Sequence, residues 1–264
     1  MKTSVHITDN YIINPTNPLT VNLIGAGGTG SQMLTALARI NYALLHLDHP
    51  GLSVTVYDDD RITEANIGRQ LFSESEIGLH KSVTLVNRYN VFFGTNWKAK
   101  ARRFGNDLYD IDSYRANIHI SCVDTAKSRF EISELLYEMN LSKRYNRDQP
   151  LYWLDLGNSK DTGQAILSTI ANIRQPESEK FTTVSNLPFI TEMFRDELEQ
   201  ADKSDNTPSC SLAEALTQQD LFINPAIAIL GGELLWQLFR EGMIFNRGAF
   251  IHLKNFRTQP IKLS

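Results

Sequence analysis

The chain has 264 residues and a formal net charge of −4, and 42% of its residues are hydrophobic, enough to bury one large α/β core. No run of basic residues is longer than two, which argues against nucleic acid as the main partner, because phosphate backbones select clustered lysine and arginine. Two cysteines, Cys122 and Cys210, are too few for a disulfide framework or a four-cysteine zinc site.

The sequence carries no signal for export or membrane insertion. Its N-terminus lacks the apolar core of a signal peptide, and no stretch of about eighteen apolar residues occurs. The most apolar segment, residues 221–239, contains Asn224, Glu233 and Gln237, which is typical of a core or interface helix. We therefore expect a cytoplasmic protein with no membrane partner.

The first elements form a strand–helix–strand unit. Residues 1–19 contain two prolines and several Asn and Thr, so we predict an irregular N-terminal arm or an edge strand. Residues 21–24 predict a buried strand, a helical pattern of apolar side chains follows, and residues 52–57 predict a second strand. The first strand meets the helix at a G-x-G-x-x-G turn whose glycines are Gly25, Gly27, Gly28 and Gly30. Such a turn lets the backbone approach a phosphate at the helix N-terminus, although it also serves helix–strand packing.

Strands and helices continue to alternate through the middle of the chain. We predict a helix at 77–91, a strand at 97–104, a buried strand at 118–123 and a helix at 127–141. Asp58 and Asp124 each follow a predicted buried strand. Ligands of open α/β sheets bind at the carboxyl ends of the strands, so we expect these two carboxylates at the same edge.

The second half of the chain changes character. We predict strands at 151–156 and from residue 163, then a proline-rich and acidic crossing loop at 174–209 with a short helix at 189–198. Helices at 211–216 and 220–240 and a strand pair at 249–263, with its turn near 258–260, complete the chain. The expected fold is α/β and Rossmann-like, with a mixed sheet that is mostly parallel first and antiparallel at its far edge.

A set of polar residues lies within 24 positions after the second strand: Asp58, Asp60, Asn66, Arg69, Gln70 and Lys81. A dinucleotide site needs one acid there, for a ribose hydroxyl, and it does not need two cations downstream. Two cations that reach the glycine turn suit a ligand with more phosphate charge, such as a triphosphate. An ordinary ion pair between Arg69 and Asp60 that fixes the loop is the alternative.

The ordered set Asp58-x-Asp60, Asn66-x-x-Arg69-Gln70 and Gly78-x-x-Lys81 resembles the adenylating domain of ThiF, MoeB and the ubiquitin-activating enzymes. The resemblance extends to Asp124, and the whole chain looks most like the ThiF-family member of the plasmid-associated PRTRC gene system. It implies a single adenylating domain over residues 1–264, with a crossing loop at 174–209 and a C-terminal segment at 210–264. Many relatives also have a four-cysteine zinc site and an N-terminal helix that supplies an arginine, and neither is found in this sequence.

The resemblance also implies a reaction and roles for the site residues. Adenylation joins a carboxylate to the α-phosphate of ATP, and a carboxylate is already ionised near neutral pH, so no strong general base is needed. Arg69 and Lys81 would offset the phosphate charge and Asp124 would hold Mg²⁺, although Asp124 could instead be a plain helix N-cap. The implied nucleotide-binding set is completed by the backbone of Gly25, Gly27, Gly28 and Gly30 and by the side chains of Asp58, Asp60, Asn66 and Gln70.

The two cysteines differ in their surroundings. Cys210 stands in T-P-S-C-S-L-A-E-A-L, at the start of a predicted helix, where a thiolate is favoured. Ubiquitin-activating relatives carry their thioester-forming cysteine in the crossing segment, so the resemblance implies transfer of the acyl group to Cys210. A semi-buried structural cysteine is the alternative. Cys122 lies inside a predicted strand, which indicates a small buried side chain.

The expected function is ATP- and Mg²⁺-dependent adenylation of the C-terminal carboxylate of a small ubiquitin-like or sulfur-carrier-like protein. Relatives are dimers, and the apolar segment at 221–239 fits a homodimer interface. Two other functions stay open. A non-catalytic nucleotide-binding scaffold would account for the missing zinc ligands. An NAD-dependent oxidoreductase would explain the glycine turn and Asp58 but not Arg69, Lys81 or Asp124.

Overall fold

The computed structural model of the protein describes residues 2–142, 147–201 and 219–263. In chain order, the described strands are β1 (Thr3–Ile7), β2 (Leu19–Ile24), β3 (Leu52–Tyr57), β4 (Lys98–Lys100), β5 (Ile118–Ser121), β6 (Tyr152–Asn158), β7 (Thr162–Thr169), β8 (Phe181–Thr183), β9 (Met243–Ile244), β10 (Asn246–His252) and β11 (Arg257–Lys262). The described α-helices are α1 (Asn10–Ile13), α2 (Gly28–Leu45), α3 (Lys81–Phe93), α4 (Ala126–Leu141), α5 (Ile190–Met193), α6 (Arg195–Ala201) and α7 (Ile223–Glu241). Short 3₁₀ helices lie at Glu64–Asn66, Glu74–Glu76 and Leu108–Tyr114.

Most strands belong to one large mixed sheet, with the order β11-β10-β7-β6-β5-β2-β3-β4. The five strands from β4 to β6 run parallel to their neighbours, and β7, β10 and β11 are added in antiparallel fashion. The predicted α/β fold, with a mostly parallel first half and an antiparallel far edge, is confirmed. The predicted C-terminal helix and strand pair are confirmed as well.

Strand β2 is the point at which the chain changes direction across the sheet. The chain passes from β2 outward to β3 and β4, and then returns to place β5 and β6 on the other side of β2. Crevices at such reversals, beyond the carboxyl ends of the strands, are where open α/β sheets bind ligands. Ile24 pairs with Tyr57 of β3 and with Ser121 of β5, so the three strands end level. The glycine turn, Asp58 and Asp124 therefore follow neighbouring strand ends, as the sequence predicted.

Helices α2 and α7 pack together on the sheet, and glycines allow the close fit. A Cβ added at Gly231 would lie 2.7 Å from Leu156 of β6, and one added at Gly232 would lie 3.1 Å from Ala36 of α2. Any larger side chain at these positions would push α7 away from the sheet or from α2. The packing directs the N-terminus of α7 toward the glycine turn at the start of α2.

The N-terminal region differs from its prediction. Strand β1 is the central strand of a second, three-stranded sheet, parallel to β8 and antiparallel to β9. An irregular arm or edge strand was therefore the wrong expectation for residues 3–7. The partner strands come from residues 181–183 and 243–244, so the pairing depends on contacts distant in sequence, which local patterns do not report.

Several element boundaries also moved. The helix expected at 77–91 starts at Lys81, because Gly78 has a positive φ of 88° and His80 is extended, both outside the helical range. The strand expected at 97–104 has only three residues, and the helix expected at 189–198 is two helices separated at Phe194. Strands β10 and β11 turn at 253–256, not at 258–260. Pro260 instead lies within β11, an edge strand, where the missing N–H group is tolerated.

Part of the sequence prediction falls on residues outside the described ones. The helix expected at 211–216 and the candidate nucleophile Cys210 both lie there. Among the helices that the structure describes, none is both long and apolar enough to cross a membrane.

Candidate functional site

The glycine turn is tightly built and ends in an uncapped helix. Gly25 has a positive φ of 93°, and its N–H group donates to the Tyr57 carbonyl at 2.8 Å. A Cβ on Gly30 would lie 1.9 Å from the Gly25 carbonyl oxygen, so this glycine is required for packing. Gly27 is the N-cap of α2 and provides no side-chain cap. The first N–H groups of α2 therefore lack a side-chain acceptor, which suits an anion.

Asp58 is bound directly to this turn. Its Oδ2 atom accepts a hydrogen bond from the Ala26 N–H group at 2.6 Å, and its Oδ1 atom accepts one from the Asp60 N–H group at 2.9 Å. The pKa of Asp58 is raised above its ordinary value, because the effect of burial exceeds the opposing effects of these backbone donors and of the Lys81 charge. The carboxylate therefore lies beside the glycine turn, at the position where a ribose-binding acid is expected.

Lys81 carries its charge beneath the surface of the loop. Its side chain is only 8% exposed, and its Nζ atom donates to Asp60 Oδ2 at 2.7 Å, whereas the Asp60 side chain is 65% exposed. The Lys81 N–H group also donates to the Asp60 carbonyl. An ion pair between Arg69 and Asp60 was one expectation, and the structure pairs Asp60 with Lys81 instead.

Arg69 and Gln70 leave polar atoms unsatisfied near the turn. Arg69 Nη1 donates to Gln219 Oε1 at 2.6 Å, but Arg69 Nε and Gln70 Oε1 are buried and have no hydrogen-bond partner among the described residues. Burial lowers the pKa of Arg69. A Cβ placed on Gly27 would lie 3.9 Å from Gln70 Nε2, so Gln70 stands over the turn. Unpaired buried polar groups cost free energy, and a ligand with both acceptors and donors would remove that cost.

Asn66 has a structural role in the same loop. Its Oδ1 atom accepts a hydrogen bond from the Thr63 N–H group at 2.9 Å and closes the 3₁₀ helix Glu64–Asn66. The chain then turns at Gly68, which has a positive φ of 78°, and leads into Arg69. Asn66 thus shapes the backbone that presents the arginine.

Asp124 is exposed at the carboxyl end of β5. Thr125, and not Asp124, is the N-cap of α4, because the Thr125 hydroxyl accepts the Ser128 N–H group at 3.1 Å. The alternative in which Asp124 serves as a plain N-cap is therefore wrong. A carboxylate oxygen is the kind of ligand that Mg²⁺ prefers, so Asp124 fits the predicted metal role.

A buried ion pair holds the segment around Asp124, and sequence reasoning did not identify it. Arg129 Nε lies 3.1 Å from both carboxylate oxygens of Asp155, while Arg129 Nη2 donates to the Val123 carbonyl at 2.8 Å. Asp155 is 1% exposed. Its position inside the apolar strand 151–156 was the available signal, because a buried carboxylate needs a partner.

A second missed group extends from the start of α7. Asn224 is 2% exposed, and a Cβ on Gly28 would lie 2.5 Å from its Nδ2 atom. Asn224 Oδ1 accepts from the Thr29 hydroxyl at 2.8 Å, and Asn224 Nδ2 donates to Gln219 Oε1 at 3.0 Å. A polar residue in the otherwise apolar segment 221–239 was the sequence signal for this contact.

Three carboxylates, Asp58, Asp59 and Asp60, have oxygen atoms within 4.8 Å of one another. Asp58 binds backbone N–H groups and Asp60 pairs with Lys81, so the cluster already has internal partners.

Cys122 lies against Gly25 and Gly30, and burial raises the pKa of its thiol. Cys122 therefore packs as a neutral residue against the main core, but its side chain is partly buried and not fully buried as predicted.

Comparison with known proteins places this chain in a family. The sequence matches the family described as "ThiF family" over residues 16–241, which is most of the chain. The chain belongs to the ThiF family. A search of curated proteins found no match.

Solved structures with the same fold are distant in sequence. They include a crystal structure of PaaA, at 11% identity and a TM-score of 0.58, covering 92% of this chain and 64% of that one. A structure of E. coli MccB with ATP has 14% identity and a TM-score of 0.57, with 96% and 65% covered. The microcin C7 biosynthetic enzyme MccB in complex with N-formylated MccA has 15% identity and a TM-score of 0.56, with 93% and 65% covered. The chain therefore spans just under two thirds of the length of these neighbours.

Proposed function

We propose that this ThiF-family chain is an adenylyltransferase that uses ATP and Mg²⁺ to activate the C-terminal carboxylate of a small ubiquitin-like or sulfur-carrier-like protein. The observation that carries the proposal is Arg69, a partly buried cation near the glycine turn whose buried Nε atom has no partner among the described residues. A phosphate oxygen is the acceptor that best fits such a group. The MccB structures with ATP and with MccA support the pairing of a nucleotide with a second molecule.

The reaction needs charge compensation more than proton transfer. A carboxylate oxygen of the acceptor attacks the α-phosphorus of ATP, the bond to the β-phosphate oxygen breaks, and pyrophosphate leaves with its electron pair. The acceptor then carries an acyl-adenylate. Attacking and attacked groups are both negative, so fixed cations lower the barrier by offsetting charge in the transition state. Arg69 and Lys81 are the two cations of the described site that supply this.

The other residues bind and orient the nucleotide. The first N–H groups of α2 would hold phosphate oxygens, and Asp58 would accept a ribose hydroxyl. Gln70, whose amide nitrogen lies over Gly27 and whose carbonyl oxygen has no partner among the described residues, would contact the phosphates through the nitrogen or the metal's water shell through the oxygen. Asp124 would ligate Mg²⁺, which neutralises phosphate charge. Asp60 and Asn66 would keep Lys81 and the Arg69 loop in place.

A direct test needs no knowledge of the natural acceptor for its first part. Calorimetry should show that the protein binds ATP with Mg²⁺ more tightly than NAD. Lys81→Met and Arg69→Ala should each weaken ATP binding, whereas Lys254→Met, at an exposed turn, should not. Binding of NAD without binding of ATP would contradict this proposal and favour the oxidoreductase alternative.

Turnover is tested by ATP–pyrophosphate exchange with small proteins that end in a free carboxylate. The same proteins with an amidated C-terminus are the matched control, because they lack the nucleophile. Lys81→Met and Arg69→Ala should lower the exchange rate by about 10²-fold or more, since each removes transition-state charge compensation. ATP binding without exchange for any acceptor of this class would favour a nucleotide-binding scaffold.

The same reaction, separated on a gel without reductant, reports on Cys210. In a second step its thiolate would attack the adenylate carbonyl and AMP would leave, giving a thioester. An adduct that reductant cleaves and that Cys210→Ala abolishes, with exchange intact, is the expected result.

We also assign the chain to the PRTRC subgroup of the family and expect it to act as a homodimer.

A further inference from the structure

Gln219 joins two parts of the site that are far apart in sequence. Its Oε1 atom accepts hydrogen bonds from Arg69 Nη1 at 2.6 Å and from Asn224 Nδ2 at 3.0 Å. An amide oxygen has two lone pairs, so both bonds can form at once. The contact links the loop that follows β3 to the first turn of α7.

The Arg69 nitrogen that Gln219 binds determines which N–H groups of the guanidinium remain for a phosphate. A guanidinium group presents Nε and Nη2 as one edge with two parallel N–H groups, a geometry that matches two oxygens of a phosphate. Gln219 binds Nη1 and so leaves this edge available. Arg69 Nε on the same edge is buried and has no partner among the described residues. The hydrogen bond to Gln219 therefore orients the arginine without consuming its phosphate-binding edge.

Gln219 is held in place by the neighbouring residue Asp220 and by its hydrogen-bond partner Asn224, and both are fixed by further contacts. The next residue, Asp220, donates its N–H group to the Lys160 carbonyl at 2.7 Å and accepts the Phe222 N–H group on its side chain at 2.9 Å. Asn224 is 2% exposed and its Oδ1 atom accepts from the Thr29 hydroxyl at 2.8 Å. Thr29 belongs to the first turn of α2, next to the phosphate-facing N–H groups. The chain of contacts thus ties Arg69 to the glycine turn.

We propose that Gln219 and Asn224 are positioning residues for the nucleotide, holding the Nε edge of Arg69 at a fixed place relative to the first turn of α2. The inference rests on the proposed use of ATP. A bound triphosphate would accept hydrogen bonds from two sets of donors, the Nε edge of Arg69 and the first N–H groups of α2. The side-chain amides of Gln219 and Asn224 would set the distance between these two sets. Neither residue touches the reacting atoms.

The test is a double-mutant cycle on binding of α,β-methylene-ATP with Mg²⁺, measured by calorimetry. Gln219→Met keeps the length of the side chain and removes the acceptor, and it should raise the Kd about tenfold, the range for a hydrogen bond to a charged group. In an Arg69→Ala background the same substitution should change the Kd by less than about twofold, because its effect passes through Arg69. Gln237→Met is the matched control, since Gln237 lies in α7, the helix that follows Gln219, and bonds only to Glu233 at 3.0 Å among the described residues.

The outcomes separate this inference from the function on which it rests. If the wild-type protein does not bind the ATP analogue, the proposed function is wrong. If it binds but Gln219→Met leaves the Kd unchanged or lowers it, Gln219 is not a positioning residue. An equal loss in both backgrounds would mean that Gln219 acts through general stability, and thermal unfolding of each variant gives an independent measure of that effect. In exchange assays, Gln219→Met should raise the KM for ATP more than it lowers kcat.

Discussion

Lys81 is buried and Arg69 is partly buried, and the two cations differ in how their charge is balanced. Lys81 has a carboxylate partner, Asp60, whereas the partner of Arg69 within the described part of the chain is the neutral amide of Gln219. The buried Arg69 Nε–H group has no partner among the described residues, which costs free energy unless an acceptor completes the site. Arg69 is therefore the stronger indicator of a phosphate ligand. Lys81 would keep its ion pair with Asp60 or replace it by a contact with a phosphate when a nucleotide binds.

A different residue, His119, makes stability depend on pH. It lies in β5, fully buried and 5.8 Å from the ring of Phe104. Burial lowers the pKa of His119 from 6.5 to about 3. The folded protein therefore binds fewer protons than the unfolded chain between these values. This contribution to stability is complete above about pH 6.5 and is lost as the pH falls.

We predict that His119 alone costs the protein about 2 kcal/mol of unfolding free energy between pH 8 and pH 5. Denaturant unfolding at both pH values, for the wild type and for His119→Leu, measures this difference. The variant should show a smaller loss on acidification, because no buried histidine then needs to be protonated on unfolding. His46→Leu, at the exposed end of α2, is the control. Equal losses in the wild type and His119→Leu would contradict the assignment.

At the scale of elements, the connection from β5 to α4 depends on one buried ion pair. Arg129 joins Asp155 of β6 to the carbonyl groups of Val123 and Thr125, the residues that flank Asp124. Asp155 also accepts a hydrogen bond from the Ser121 hydroxyl at 2.6 Å. The carboxylate thus fixes both β5 and the segment that presents the candidate metal ligand.

Asp155→Ala should lower the unfolding free energy by about 3–5 kcal/mol, because it leaves the Arg129 charge buried without its partner. The double variant with Arg129→Met should lose less than the sum of the two single changes. Glu131→Ala is the matched control: it breaks the Arg103–Glu131 pair, whose side chains are 51% and 46% exposed, and should cost below about 1 kcal/mol. Denaturant unfolding of the wild type and the four variants checks these values, and a small effect of Asp155→Ala would show that the pair is dispensable.

The elements that could be predicted are those whose pattern is set locally. The apolar runs of β2, β3 and β5 and the long apolar face of α2 are visible in the sequence, because burial on a sheet selects continuous apolar residues. Strand β1 and the split between α5 and α6 were missed, because their form depends on packing partners distant in the chain. The end of β4 at Lys100 has no sharp sequence signal, since charged and apolar residues keep alternating beyond it.

At the scale of the whole molecule, some residues of the candidate site could be predicted from local sequence and others could not. Asp58, Arg69 and Lys81 were found from order and spacing, because they lie on one continuous loop system after β3. Gln219 and Asn224 reach the site from a segment some 150 positions later in the chain, as the Arg69–Gln219 contact shows. Asn224 stands out locally as a polar residue in an apolar segment, but its partners and those of Gln219 are set by the packing of α7 against α2, which no local pattern shows.

The surface of α7 leads to a prediction about assembly. Phe222 and Ile229 are 67% and 68% exposed, and the half-buried Trp236 follows at the same spacing of seven, so the three share one face of the helix. An apolar stripe of this kind on a long helix is typical of a surface that another protein covers. A second copy of the chain meeting this face about a twofold axis is the simplest arrangement.

We therefore expect a dimer in solution at micromolar concentration, as measured by light scattering coupled to size-exclusion chromatography. Ile229→Glu should convert it to a monomer, because two copies of the new charge would be buried close together across the twofold interface. Phe256→Glu is the control, since Phe256 is 98% exposed and lies in the turn between β10 and β11, away from α7 in the chain. It should leave the dimer intact. A wild-type monomer with and without ATP, or an Ile229→Glu protein that remains dimeric, would show that this face has another role.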